Sequence, residues 1–275
     1  MRLMWSQKTQ GMGRQVKLIV FTDLDGTLLD HARYDWSAAR PALTALRAAD
    51  IPLILASSKT AAEIAPLHAA LELGEWPVIA ENGAARVRPG DTRDDRSAYL
   101  RLRGLLNALP VPLRALYRGF GDMTDAEVAR ITGLSPEAAA LARARQHSEP
   151  GLWAGDDSAR DAFLAALAEQ GVSARQGGRF LTLSFGGTKA GQMGAIMQDL
   201  GRNTAIALGD APNDIEMLET AARGIIIRND HGAAIPPLAG ETSGRIVRST
   251  EPGPHGWNTE ILALLARPGL IEEHI

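Results

Sequence analysis

The stretch Phe21-Thr22-Asp23-Leu24-Asp25-Gly26-Thr27 decides how this chain is read. An apolar run, Leu18-Ile19-Val20-Phe21, ends in two carboxylates two residues apart, and a glycine and a threonine follow at once. A short continuous apolar run of this kind reads as a strand buried on both faces of a parallel sheet. Open α/β sheets bind ligands beyond the carboxyl ends of their strands, which is where Asp23 and Asp25 fall. Two acids there could hold Mg2+ through hard oxygen ligands while one attacks phosphorus as a nucleophile. A solvated Asp-x-Asp-Gly turn is the competing reading of the same residues, and the rest of the chain weighs between them.

Outward from this strand, apolar runs alternate with helical patterns: residues 37–49 read as a helix, 51–56 as a strand and 77–80 as a third strand. A helix opens at Thr60, where Thr60-Ala61-Ala62-Glu63 has the spacing of a capping box. Such alternation predicts right-handed βαβ units and a parallel sheet. The rhythm stops after Ala85. Residues 86–96 read as a polar linker, followed by helical patterns over 99–108, 124–132 and 135–145. A short strand at 152–154, a helix at 158–170 and a strand pair at 172–175 and 179–184 come next, the pair joined by Gly177-Gly178 as in a hairpin. The βα rhythm returns with a helix from Lys189, strands at 204–208 and 224–227, a weak strand at Ile246-Val247 and a closing helix at 257–266. The predicted architecture is therefore an α/β core with a parallel sheet (residues 16–86 and 186–275), interrupted by an inserted α+β domain (87–185), with 1–15 a flexible leader.

Composition narrows the functions this chain could serve. Its 275 residues are 45% hydrophobic and 22% charged, enough for a real core under an ordinary soluble surface. A net charge of -3 gives no electrostatic case for nucleic acid or an anionic membrane. The chain has no cysteine, which excludes disulfides, thiolate metal sites and cysteine nucleophiles. No apolar stretch approaches the ~20 residues that span a bilayer, and residues 1–15 lack the apolar centre of a signal peptide. A cytoplasmic protein is the expectation.

Four features fall on loops after the predicted strands: Asp23-x-Asp25, Ser57-Ser58-Lys59, Lys189 at a helix start, and Gly209-Asp210-Ala211-Pro212-Asn213-Asp214. Parallel strands bring their carboxyl ends to one edge, so loops far apart in sequence can share a pocket. Phosphoryl transfer needs a positioned nucleophile, charge neutralisation and a proton donor. Asp23 can form an aspartyl-phosphate, and Asp25 is placed to protonate the leaving oxygen and then to deprotonate water. Asp210 can complete a Mg2+ site with Asp23, a backbone carbonyl and waters. Ser57 can hydrogen-bond a phosphate oxygen, and Lys189 adds positive charge. Singly, each has a duller role as a helix cap or a solvated lysine; together, in this order, they read as a catalytic set.

These motifs resemble those of the haloacid dehalogenase superfamily of phosphohydrolases, in order Asp23-Leu24-Asp25-Gly26-Thr27, Ser57, Lys189 and Gly209-Asp210-x-x-Asn213-Asp214. The resemblance implies a Rossmann-like core with Asp23 as nucleophile, Asp25 as acid and base, and Mg2+ held by Asp23, the Asp25 carbonyl and Asp210, with Asp214 acting nearby. The large insert and Glu81-Asn82-Gly83-Ala84 are similar to the type-2 cap and the Asn-Gly signature of the Cof-like branch. Within that branch, Ser57-Ser58-Lys59-Thr60, Gly119-Phe120-Gly121-Asp122-Met123, residues 145–150, Gly177-Gly178-Arg179-Phe180 and Gly253-Pro254-x-Gly256-Trp257-Asn258 resemble the mannosyl-3-phosphoglycerate phosphatases. What this implies is a Mg2+-dependent phosphatase acting on a phosphorylated sugar-glycerate, with Ser58, Lys59, Asn82, Gln146, Glu149, Arg179 and Asn213 as substrate-binding candidates. Arg179 could pair a carboxylate through its fork, and Gln146, Glu149, Asp122 and Asn82 could bind hydroxyls. Glucosyl-3-phosphoglycerate or another sugar phosphate as substrate, a phosphosugar mutase and a non-catalytic phosphosugar-binding protein stay open as alternatives. His68, His147 and His231 have no metal-ligand spacing and are assigned no catalytic role.

Overall fold

A computed structural model describes residues 16–89, 91 and 95–267; the predicted leader, 1–15, lies outside the described residues. The strands in chain order are β1 (Leu18–Thr22), β2 (Leu53–Leu55), β3 (Val78–Ala80), β4 (Ala85–Val87), β5 (Tyr117–Gly119), β6 (Ser148–Trp153), β7 (Ser173–Gly177), β8 (Phe180–Ser184), β9 (Thr204–Gly209), β10 (Arg223–Arg228) and β11 (Ile246–Pro252).

The apolar run before Asp23 forms β1, buried along its whole length between β9 and β2 in a five-stranded sheet of order β11-β10-β9-β1-β2. Every pairing in that sheet is parallel, with Phe21 opposite both Ile54 on β2 and Ala207 on β9. Strand residues alternate between two cores. Leu18 and Val20 pack with Leu46, Trp257 and Ile261 on one face, and Ile19 and Phe21 with Met193, Met217 and Leu218 on the other. Burial on both faces is the reason these strands read as continuous rather than alternating apolar runs. The expected capping boxes form: Thr60 Oγ1 accepts from Glu63 N at 3.1 Å while Glu63 Oε2 accepts from Thr60 N at 2.8 Å, and Thr124 and Glu127 do the same at the helix Asp125–Thr132.

Between β4 and the helix Lys189–Asp199 lies an antiparallel sheet of order β5-β6-β8-β7. Helices Ser97–Asn107 and Asp157–Ala168 give it one core, with Leu102, Leu106, Phe163 and Leu167 against Tyr117 and Leu183. Helices Asp125–Thr132 and Pro136–Arg143 give a second core around Phe120, Val128 and Ala139.

The local reading departs from the structure in several places. Arg86 and Val87, read as the start of the linker, instead extend Ala85 into β4, which pairs antiparallel with β3. The third predicted strand joins the main sheet only through a parallel bridge between Ala56 and Ile79. Strand β6 begins at Ser148, four residues before the apolar signal, because pairing with β8 holds the polar Ser148-Glu149-Pro150 in the sheet. Strand β11 likewise runs past Ile246-Val247 through a polar edge. In each case tertiary pairing overrides a weak local propensity.

Candidate active site

The carboxyl ends of β1, β2 and β9 deliver the acidic side chains and Lys59 to one edge, and Lys189 joins them from the start of the helix Lys189–Asp199. Asp23 follows β1 directly, and its backbone N–H donates to Leu208 O on β9 at 2.9 Å. The chain then turns tightly: Gly26 N donates to Leu29 O at 3.0 Å and Leu29 N to Leu24 O at 2.8 Å. Gly26 adopts φ +83°, and a Cβ there would lie 2.7 Å from Asp210 Oδ2, so only glycine lets the two loops approach this closely. On the core side, the buried Trp257 donates Nε1–H to Thr22 Oγ1 at 3.0 Å, and Thr22 Oγ1 donates to Asp23 O at 2.8 Å. The Gly-Pro-x-Gly-Trp-Asn segment near the end of the chain thereby braces the loop that carries Asp23.

Lys189, whose side chain is 1% exposed, lies between two carboxylates: Nζ donates to Asp23 Oδ1 at 2.5 Å and to Asp214 Oδ1 at 2.7 Å. Burial alone would lower its pKa, but Asp214 and Asp23 more than offset this and hold it above the ordinary lysine value. Asp214 Oδ2 accepts the backbone N–H groups of Asp210 at 3.2 Å and Ala211 at 3.1 Å, so both its oxygens anchor the loop after β9. Asp210 accepts from Thr27 Oγ1 and from Asn229 Nδ2, each at 2.5 Å. Ligand oxygens of Asp23, Asp210 and Asp214 lie within 4.8 Å of one another. Burial raises the pKa of Asp23 well above the ordinary carboxylate value; Lys189 pulls it down, and Asp214, Asp210 and Asp25 push it further up. Asp210 is raised too, chiefly by burial, against the hydrogen bond from Thr27.

Asp25 faces the other way. Its Oδ2 pairs with Lys59 Nζ at 2.8 Å, and Lys59 lies 5.1 Å from the centroid of the Tyr34 ring. The other oxygen, Oδ1, is buried without a hydrogen bond. Asp23, Asp25, Asp210 and Asp214 thus stand against only Lys59 and Lys189. With Lys59 matched to Asp25, three carboxylates facing one cation, Asp23, Asp210 and Asp214 against Lys189, form an all-oxygen donor set that suits a hard divalent cation such as Mg2+.

A cavity of about 440 Å3 opens beside this cluster, between the main sheet and the insert, within the size range of small-molecule sites. Asp25, Ser58, Lys59, Asn82, Asn213 and Arg179 are among its lining residues. Ser57 is buried one step behind, its Oγ accepting from Lys59 N at 3.2 Å and its carbonyl accepting from Asn82 N at 2.9 Å. Glu81 and Asn82 both adopt left-handed backbone, φ 50° and 58°, a concentration of strain typical of ligand sites. Asn213 Nδ2 donates to Asn82 Oδ1 at 3.3 Å.

Two substrate-binding candidates are not brought to this cavity. Glu149 is fully buried inside the insert, accepting from Tyr99 OH (2.8 Å), Arg103 Nη1 (2.7 Å) and Gly121 N (2.9 Å). Gln146 lines a separate cavity of about 150 Å3 with Ala61, Ala62 and Arg96. Its backbone N–H, with those of His147 and the Ser148 hydroxyl, donates to the buried Glu81 carboxylate at 3.0, 3.1 and 2.6 Å, fastening the insert to the core beside the site. Thr27 and Asn229, whose side chains hold Asp210, were given no role in the motif reading. Asn229 carried one usable signal, a polar side chain just beyond the carboxyl end of a buried strand.

The signature of haloacid dehalogenase-like hydrolases matches residues 20–93 and 172–236. Among solved structures, the sucrose-phosphatase of Synechocystis, determined with sucrose and phosphate, is 18% identical with a TM-score of 0.60, the match covering 91% of this chain and 98% of that one. BT1666 from Bacteroides thetaiotaomicron, a phosphatase of the haloalkanoate (HAD) enzyme superfamily, is 19% identical with a TM-score of 0.59, covering 94% and 99%. TM0651 from Thermotoga maritima is 15% identical with a TM-score of 0.61, covering 92% and 98%. These likenesses are likenesses of fold. The two family-matched segments hold Asp23, Asp25, Ser57, Lys189, Asp210 and Asp214, and the chain belongs to the haloacid dehalogenase-like hydrolases.

Proposed function

We propose that this protein is a Mg2+-dependent phosphomonoesterase that works through an aspartyl-phosphate on Asp23. The observation that carries the reading is the surplus of buried carboxylates around Lys189, set beside a cavity large enough for a phosphorylated sugar. Asp23 and Asp210, with the Asp25 carbonyl, would hold the cation, which supplies positive charge to screen the phosphate from the carboxylates. Asp214, with both oxygens engaged, keeps Lys189 and the Asp210 loop in place.

Asp23 Oδ1 is held by Lys189, so Oδ2, which accepts no hydrogen bond from any described residue, is the attacking atom. It forms a bond to phosphorus as the ester P–O bond breaks, and Asp25 delivers a proton to the departing oxygen from Oδ1, the buried oxygen without a partner. Asp25 then takes a proton from the attacking water, and the second displacement releases phosphate and restores Asp23. Ser57 and Lys189 stabilise the equatorial oxygens. The insert acts as a cap that selects the leaving group and excludes water.

The narrower reading is dephosphorylation of mannosyl-3-phosphoglycerate to mannosylglycerate, with Ser58, Lys59, Asn82, Asn213 and Arg179 as the cavity residues that meet the substrate. Phosphate release from mannosyl-3-phosphoglycerate, glucosyl-3-phosphoglycerate, 3-phosphoglycerate and hexose phosphates, with Mg2+ and with chelator, tests both levels. A Mg2+-dependent preference for the mannosyl compound supports the narrow reading. Hydrolysis of the others alone keeps the chemistry and discards the substrate. No release from any of them, with sugar-phosphate isomers appearing instead, overturns hydrolysis in favour of a mutase.

A further inference from the structure

The two oxygens of Asp25 are not equivalent. The last torsion of an aspartate is broad and roughly two-fold, so an unheld carboxyl presents either oxygen to its surroundings. Here Oδ2 lies 2.8 Å from Lys59 Nζ, while Oδ1 is buried with no partner. Among the described residues Lys59 is the only cation within ion-pairing distance of Asp25.

Lys59 is itself held from several sides. Its backbone N–H donates to Ser57 Oγ at 3.2 Å, and its carbonyl accepts from Glu81 N at 2.9 Å. Thr60 follows directly as the cap of the next helix, with both halves of its capping box formed. At the far end of the side chain, Nζ lies 5.1 Å from the centroid of the Tyr34 ring. Tyr34 sits in strained backbone, since its φ of 55° is left-handed and a bulky aromatic residue rarely adopts it. The turn that carries it is tied by Asp30, whose carboxylate accepts from the N–H groups of Ala32, Arg33 and Asp35 at 2.8, 2.7 and 2.8 Å. Tyr34 N donates to Asp30 O at 3.1 Å. An aromatic face set against an ammonium attracts it and limits its reach. The result is a lysine side chain only 18% exposed and directed at one carboxylate oxygen, with Asp25, Lys59 and Tyr34 all on the wall of the 440 Å3 cavity.

We infer that Lys59, confined by Tyr34, is a positioning residue for Asp25: it occupies Oδ2 throughout the reaction and so fixes Oδ1 as the oxygen that gives and takes the proton. The inference rests on the phosphatase reading and on no particular sugar. In the acid form Oδ2 is the carbonyl oxygen and Oδ1 carries the proton. As the ester P–O bond breaks, that proton passes to the departing oxygen and leaves Asp25 a carboxylate. In the second displacement Oδ1 takes a proton from the attacking water. Lys59 donates to Oδ2 in both forms and keeps its own protons.

A misplaced acid hurts most where the leaving oxygen is most basic, so the test compares phenyl phosphate with p-nitrophenyl phosphate, two esters of similar shape and different leaving-group basicity. Lys59→Met should lower kcat/KM by about tenfold or more on phenyl phosphate and by less than about threefold on p-nitrophenyl phosphate. Lys59→Arg, which keeps a donor for Oδ2, should recover part of the loss. Tyr34→Leu, at a half-exposed position, should show the same selectivity in smaller measure, and Tyr34→Phe should show none; these two decide if Lys59→Met does not fold. An equal loss on both esters means that Lys59 serves binding or folding and overturns the inference while leaving the phosphatase reading intact. Crystal structures of the wild type and Lys59→Met supply a readout independent of turnover, and they decide if sugar phosphates are hydrolysed but aryl esters are not. The Asp25 carboxyl should be displaced or split between two conformers in the variant, and one that keeps its place without Lys59 overturns the inference. Phosphate release from neither the aryl esters nor any sugar phosphate overturns the phosphatase reading, and the inference falls with it.

Discussion

Among the described residues, the buried polar cluster at the edge of the parallel sheet and the one inside the insert are built on opposite electrostatic terms. In the insert, Glu149 and Asp122 face Arg103 and Arg114, and Tyr99 and the Gly119 and Gly121 backbone complete the hydrogen bonding. Charges there are matched. At the sheet edge, Asp23, Asp25, Asp210 and Asp214 face Lys59 and Lys189, and an Asp25 oxygen is buried without a partner. The matched cluster is accounted for by stability alone. The unmatched one is not, because excess buried carboxylates raise one another's pKa and weaken the native state, as they do for Asp23. Such an imbalance marks a place where a ligand completes the charge.

The sharpest way to break this comparison is Asp23→Asn. Turnover should fall on the order of 10^4-fold or more, since a missing nucleophile is not replaced by its neighbours. The metal-free protein should nevertheless keep or raise its unfolding midpoint, because one of the crowded carboxylates is gone. Calorimetry in chelator checks the second half, and a midpoint several degrees lower would show that the sheet-edge cluster is structural after all.

Glu149→Ala should behave in the reverse sense. It strips an acceptor from Tyr99, Arg103 and Gly121 in a site with no solvent to replace it, a loss of roughly 3–5 kcal/mol, or on the order of 10 °C in midpoint for a chain of this size. Activity per folded molecule should change little, since Glu149 does not line the cavity. Denaturant melts beside rates normalised to folded protein separate the two effects.

Mg2+ sharpens the contrast from the ligand side. At a hundredfold excess over its dissociation constant, a native-state ligand adds about 2.7 kcal/mol. Mg2+ should therefore raise the melting point of the wild type and of Glu149→Ala alike, and fail to do so in Asp210→Asn. An equal shift in Asp210→Asn would place the cation elsewhere.

Much of the sheet-edge cluster was legible because its chemistry is local in sequence and its convergence is topological. Asp23-x-Asp25, Ser57 and Asp210 each follow a well-marked apolar run, and parallel strands bring such junctions to one edge, whereas Lys189 was marked only as the start of a helix. The supporting residues were not legible. Nothing near Trp257 says that its indole reaches Thr22, 235 positions away, and nothing near Thr27 says that it holds Asp210. The same holds for the insert. Glu149 reads as a polar residue in a Ser-Glu-Pro-Gly stretch and invites a binding role, whereas its partners on Tyr99, Arg103 and Gly121 draw it inward. A buried charge is recognised by what surrounds it, and those surroundings are tertiary.

The smallest effect concerns acid. Burial pushes the pKa of Asp122 up, but hydrogen bonds from Arg103, the Gly119 N–H and Arg114 outweigh it and hold the carboxyl below its ordinary value. A depressed carboxylate contributes stability that is present above its unfolded-state value, about 3.9, and is lost as pH falls through the native one. Asp122 is partly exposed, 21% at the side chain, so solvent screening keeps the contribution to about 1 kcal/mol or less. Asp122→Asn should therefore lower the midpoint slightly at neutral pH and flatten its decline below about pH 4. Melting curves of both proteins taken from pH 6 to pH 3 should converge at the acid end. Curves that stay parallel would mean that Asp122 titrates normally, and that the charge matching of the insert is carried by Glu149 and Arg103 alone.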